Sequence, residues 1–91
     1  MPKQKLTNQQ VDKALKKLSG WELKKGEITR AYKFKDFEAA MAFVKKVANL
    51  AEAADHHPDI DIRYNKVRLT LSTHSAGGLT KKDFSLARQI G

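Results

Sequence analysis

Between Phe37 and Ala51 the apolar residues Phe37, Ala40, Met41, Phe43, Val44, Val47, Ala48, Leu50 and Ala51 recur with helical spacing. So wide an apolar face has to be covered, and a sheet is the surface broad enough to cover it. The stretch therefore predicts a long helix, roughly Phe37 to Ala54, lying across strands with most of its inner surface covered. Asp36 is placed to cap its start. Pro58 sets its end, because proline disfavours helical geometry in the residue before it; the helix must finish near Asp55 or His56.

The rest of the chain supplies that sheet. Thr7 and Gln10 have the spacing of a capping box, with Leu6 and Val11 as its hydrophobic staple. Val11, Ala14, Leu15 and Leu18 continue as one apolar stripe, which Ser19-Gly20 ends. Trp21 and Leu23 alternate with Glu22 and Lys24, and Lys25-Gly26 turns the chain into a second strand carrying Ile28, Tyr32 and Phe34, interrupted by Arg30. After Pro58, Ile60, Ile62 and Tyr64 alternate with charged residues. Asn65-Lys66 reads as a two-residue turn, and Val67, Leu69 and Leu71 alternate again. Tyr64 reads most simply as an aromatic packed on this hairpin, and Trp21 as core. A last helix starts at Thr80, with Asp83 in the capping-box position and Phe84, Ala87 and Ile90 on one face. The order α-β-β-α-β-β-α predicts an α+β domain: a four-stranded antiparallel sheet with helices packed on one face.

Ninety-one residues make a single domain spanning 1–91. A chain this short holds one core but no deep enclosed cleft, so a pocket is expected to be shallow or completed by a second subunit. The absence of cysteine excludes disulfides and thiolate metal sites and fits a reducing cytoplasm. No run approaches the roughly 18 apolar residues of a membrane span, and Met1-Pro2-Lys3-Gln4 begins no apolar leader. The net charge of +8 raises nucleic acid as a partner. Its lysines and arginines are scattered singly or in pairs, however, the pattern of solvated helix faces and loop tips.

The three histidines carry the chemistry. His56 and His57 precede Pro58, and His74 lies in Thr73-His74-Ser75, just before Gly77-Gly78. An ordinary imidazole titrates at about 6.5, so both of its forms are in reach at neutral pH. Glu52 stands four residues before His56 and can share its helix face; that carboxylate and the helix dipole both favour an imidazolium there. The turn before Pro58 swings His57 off the helix axis. His74 falls at the end of the last strand, on the face opposite Val67, Leu69 and Leu71. An antiparallel hairpin brings it back beside His57 and Pro58, so the three imidazoles can converge. Taken singly each residue has a plainer reading: a charge at a helix end, a strand terminus, a helix cap for Asp83. Three histidines could also ligate zinc, but the spacing matches no metal motif.

Taken together, Glu52, His56-His57-Pro58, Tyr64, His74 and Asp83, with Gly77 to Thr80 as Gly-Gly-Leu-Thr, resemble the pterin-4a-carbinolamine dehydratases over essentially the whole chain. The resemblance implies a hydro-lyase that removes water from a 4a-hydroxytetrahydropterin to give the quinonoid dihydropterin, recycling a pterin cofactor without metal or cofactor of its own. It implies His56 and His74 as general acid and base, with His57 mainly holding the substrate. Glu52 would orient His56, and Asp83 would support the site through His74 or the loop. Dimers or tetramers are implied as well. Some animal members also serve a homeodomain transcription factor as a dimerisation cofactor, and nothing in these residues speaks to that role. The competing reading is a small basic, non-enzymatic binding module for protein or nucleic acid; no run of aromatics on one strand and no helix-turn-helix spacing favours its nucleic-acid form.

Overall fold

The computed structural model describes residues 5–91, so Met1 to Gln4, read above for a leader, lie outside the described residues. Helix α1 is Asn8–Lys16, β1 Glu22–Lys24, β2 Glu27–Lys33, α2 Phe37–Ala54, β3 Asp59–Arg63, β4 Lys66–Leu71 and α3 Lys81–Ile90, with a 3-10 turn at His74–Ala76. The four strands form one antiparallel sheet in the order β1-β2-β4-β3. The predicted architecture is the observed one.

Local signals place the elements. The Thr7 hydroxyl accepts from Gln10 N–H at 3.2 Å and the Gln10 amide oxygen accepts from Thr7 N–H at 2.8 Å, completing the first capping box. The regular helix stops at Lys16, before Ser19-Gly20, and Lys17 and Leu18 close it with tighter bonds to Ala14 and Leu15. Asp36 caps α2 by accepting from Ala39 N–H at 2.8 Å. Lys25 and Gly26 both take positive φ, 53° and 77°, which matches the twist of β1 and β2.

The second hairpin turns one residue earlier than expected. Arg63 pairs with Lys66, so the turn is Tyr64-Asn65 rather than Asn65-Lys66. Asn65 is held by Phe34: its side-chain amide donates to Phe34 O at 2.8 Å and its carbonyl accepts from Phe34 N–H at 2.9 Å. Those two bonds fix Asn65 against the end of β2 and leave Tyr64 at φ 54° on the tip. Tyr64 is exposed there, not packed on the sheet.

Ile28, Val67, Leu69 and Leu71 make the buried face of the sheet. Val11 of α1, Ala40, Val47 and Ala51 of α2, and Phe84, Leu86, Ala87 and Ile90 of α3 cover it, with Trp21 in the same core. Phe43 reaches across to Tyr32 and Phe34, at ring-centroid distances of 4.5 and 5.0 Å. Arg30, the break in the apolar face of β2, stacks over Tyr32 and donates to Ser19 O at 2.9 Å and Gly91 O at 2.8 Å. It thus ties the ends of α1 and α3 to the sheet.

The apolar face of α2 is wider than the sheet covers. Phe37, Met41 and Ala48 stay exposed along one ridge, because the small Ala40 and Ala51 bring a different line of the helix onto the strands.

Candidate active site

The site begins where α2 stops. Asp55 takes the left-handed conformation, φ 51°, and His56 N–H donates back to Ala51 O at 3.1 Å. This is a Schellman-type closure on a non-glycine residue. It removes His56 from the helical register, so Glu52 and His56 do not meet as their four-residue spacing predicts. Glu52 instead accepts from His57 Nε2, on the surface. The expectation that Glu52 orients His56 is corrected by that one backbone turn.

His56 swings inward. Only 7% of it is exposed, and its Nε2–H donates to Asp83 Oδ1 at 2.5 Å. We assign the proton to Nε2 because a carboxylate accepts. Nδ1 has no partner among the described residues.

Asp83 is fully buried. A buried carboxylate survives only with its oxygens satisfied, and three donors do this. Its second oxygen, Oδ2, accepts from Thr80 N–H at 2.9 Å, the capping-box bond, and from the Thr73 hydroxyl at 2.8 Å. Thr80 Oγ1 lies 2.9 Å from Thr73 Oγ1 and completes the chain of hydroxyls. The helix cap read for Asp83 in the sequence is thus observed, and the same side chain binds both His56 and Thr73. Asp83 reaches the loop by way of Thr73 and makes no bond to His74 among the described residues.

That loop leaves β4 at Leu71, pairs Thr73 with Gly78, and closes with Gly77 at φ 73°. His74 therefore opens a 3-10 turn instead of ending a strand, since pairing with β3 stops at Thr70. Its carbonyl accepts from Gly77 N–H at 3.1 Å, while its side chain is exposed and has no hydrogen-bond partner among the described residues. Continuing the β3–β4 register sets position 57 across from position 72, two residues before His74.

The fold thus joins the two histidine-bearing segments through Asp83, which holds His56 directly and the residue before His74 by its hydroxyl. His57, just before Pro58, stands with Glu52 at the surface. Tyr64 is not part of this arrangement, being at the opposite end of β3 from Pro58. Thr73 and Thr80 are site residues that the sequence reading missed as such; the one signal for Thr73 was its place beside His74. Among the described residues no three His, Asp or Glu side chains are grouped as metal ligands. Chemically, two solvent-facing imidazoles and one anchored by a buried carboxylate can deliver and remove protons at the edge of a shallow surface.

Residues 4–91 match a family model described as pterin 4 alpha carbinolamine dehydratase. A protein of Acidobacterium capsulatum named for that family is 59% identical over 85 residues, 93% of this chain and 92% of the relative. One of Chloroflexus aurantiacus is 55% identical over 86 residues, 94% and 92% of the two chains. The crystal structure of a transcriptional coactivator/pterin dehydratase from Brucella melitensis superposes with a TM-score of 0.90 at 42% identity, covering 94% of each chain. A pterin dehydratase-like RuBisCO assembly factor of the alpha-carboxysome shares the fold, with a TM-score of 0.62 at 21% identity over 77% of this chain and 81% of that one.

Proposed function

The chain belongs to the pterin 4 alpha carbinolamine dehydratase family, and from that membership we propose that it removes water from a 4a-hydroxytetrahydropterin by histidine acid/base catalysis. Dehydratases are hydro-lyases. In this reaction the C4a–O bond breaks as its oxygen takes a proton and leaves as water, and a ring N–H gives up its proton to form the quinonoid dihydropterin. Hydroxide is a poor leaving group, so a positioned acid and base together account for the rate.

The observation that carries the residue assignment is the carboxylate of Asp83, bound at once to His56 and to Thr73. It fixes the spacing between the His-His-Pro segment and the His74 loop. Burial of His56 and exposure of His57 favour exchanging the roles first expected for them. His57, paired with Glu52, and His74 face the substrate as proton donor and acceptor; His56 is a positioning residue under Asp83, with Pro58 setting the direction of the segment.

Dehydration of enzymatically generated 4a-hydroxytetrahydropterin, followed by absorbance with EDTA present, tests this. His57→Ala and His74→Ala should each lower kcat by about 10²-fold, with a smaller loss for His56→Ala. A wild-type rate no better than buffer would sink the dehydratase reading. Equal, undiminished rates in the His57 and His74 variants would sink the residue assignment.

The exposed ridge of Phe37, Met41 and Ala48 on α2, and the open edges at β1 and β3, support a homodimer or homotetramer. No described helix is long and apolar enough to cross a membrane. A cytoplasmic location fits the lack of cysteine.

A further inference from the structure

Away from the histidines, α1 and α3 leave between them a groove of about 380 Å³. None of Glu52, His56, His57 or His74 lines it. Its shape follows from the chain: Leu6 N–H donates to Leu79 O at 2.8 Å, pinning the entry of α1 beside the entry of α3. Leu6, Ala14, Leu18 and Phe84 form an apolar floor. The rims are cationic on both sides, Lys13 of α1 and Lys17 at its C-terminal cap facing Lys81 and Arg88 from α3, and no Asp or Glu lines the groove. None of those four cations is in an ion pair among the described residues.

The spacing is what gives the groove a partner. Lys13 and Lys17 are one helical turn apart and share a face. Lys81 and Arg88 are two turns apart, about 10 Å along α3. Two rows of cations flanking an apolar strip are the complement of a helix whose apolar stripe is flanked by carboxylates. We propose that this groove docks an acidic amphipathic helix of two to three turns from a protein partner.

The alternatives match it less well. A small anion would engage one rim and leave the other unmatched. A nucleic-acid backbone would satisfy the rims but cover the apolar floor with phosphate and water. A second copy meeting groove to groove would oppose like charges. The inference is independent of the dehydratase reading, since the groove and the histidines share no residue.

The test uses the full chain and a fluorescein-labelled 15-residue peptide with leucines at helical i, i+3, i+4, i+7 spacing flanked by glutamates. Controls are a scrambled peptide of the same composition and a random DNA duplex. Anisotropy at low salt should show saturable micromolar binding of the amphipathic peptide, at least about fivefold tighter than the scrambled one. Lys13→Glu and Arg88→Glu, one from each rim, should each weaken it at least about fivefold, with dehydration rates unchanged. Lys17→Glu replaces either variant if circular dichroism shows that it has not folded. Equal binding of the scrambled peptide, tighter binding of the duplex, unchanged affinity in the variants, or a change in sedimentation of Lys13→Glu marking the groove as a contact between copies would each overturn the proposal.

Discussion

Three donors converge on the carboxylate of Asp83, from His56, Thr73 and Thr80, and none of them has water to fall back on. Asp83→Ala should therefore cost about 3–5 kcal/mol, the penalty of stranding buried polar partners. Asp83→Asn keeps the shape but not the charge and should cost less, while still loosening the His74 loop. Urea melts of both variants, alongside kcat, check this; an Asp83→Ala as stable as wild type would show that the network contributes nothing. Tyr32 offers a second reading at this scale. Burial raises its pKa above the ordinary 10.0, against the opposing charge and hydrogen bond of Arg30. The folded protein thus keeps the phenol proton at a pH where the unfolded chain has lost it. That stability is intact below about pH 10 and is lost as pH rises through the raised folded value. Thermal melts from pH 8 to 11 should show a steeper alkaline loss in wild type than in Tyr32→Phe.

Among the elements, α2 decides the most, and both its ends are set by single residues. Asp36 satisfies Ala39 N–H at its start, so Asp36→Ala should lower stability by about 1 kcal/mol, measured by chemical denaturation. Start and end, Phe37 and Ala54, were legible because caps and proline act through neighbours in sequence. What Asp55 does at the far end was not. A left-handed aspartate after a helix has no sequence signature as firm as glycine, and it decides whether Glu52 meets His56 or His57. The hairpin turn shows the same limit. Asn65 was recognisable as a turn residue, but its bonds to Phe34, far along the chain, chose the tip. Pairing Arg63 with Lys66 rather than Tyr64 with Val67 keeps Ile60 and Ile62 on the core face, so the apolar alternation could not tell the two registers apart.

In the whole molecule, one side of the sheet holds three helices, yet α2 carries more apolar surface than that sheet can cover. If the uncovered ridge is where copies meet, Met41→Glu should convert the wild-type oligomer to monomer in sedimentation velocity while the isolated fold melts cooperatively. A monomeric wild type would remove the ridge from consideration. The sequence by itself determined the element order, the single core and the caps of all three helices, because these rest on periodicity and on contacts within a few residues. Only the tertiary structure decided which carboxylate holds which histidine. Glu52 and Asp83 are both placed to serve an imidazole. The choice between them turns on a left-handed residue at Asp55 and on α3 packing against the end of α2, which brings residues 27 apart in sequence into one hydrogen bond.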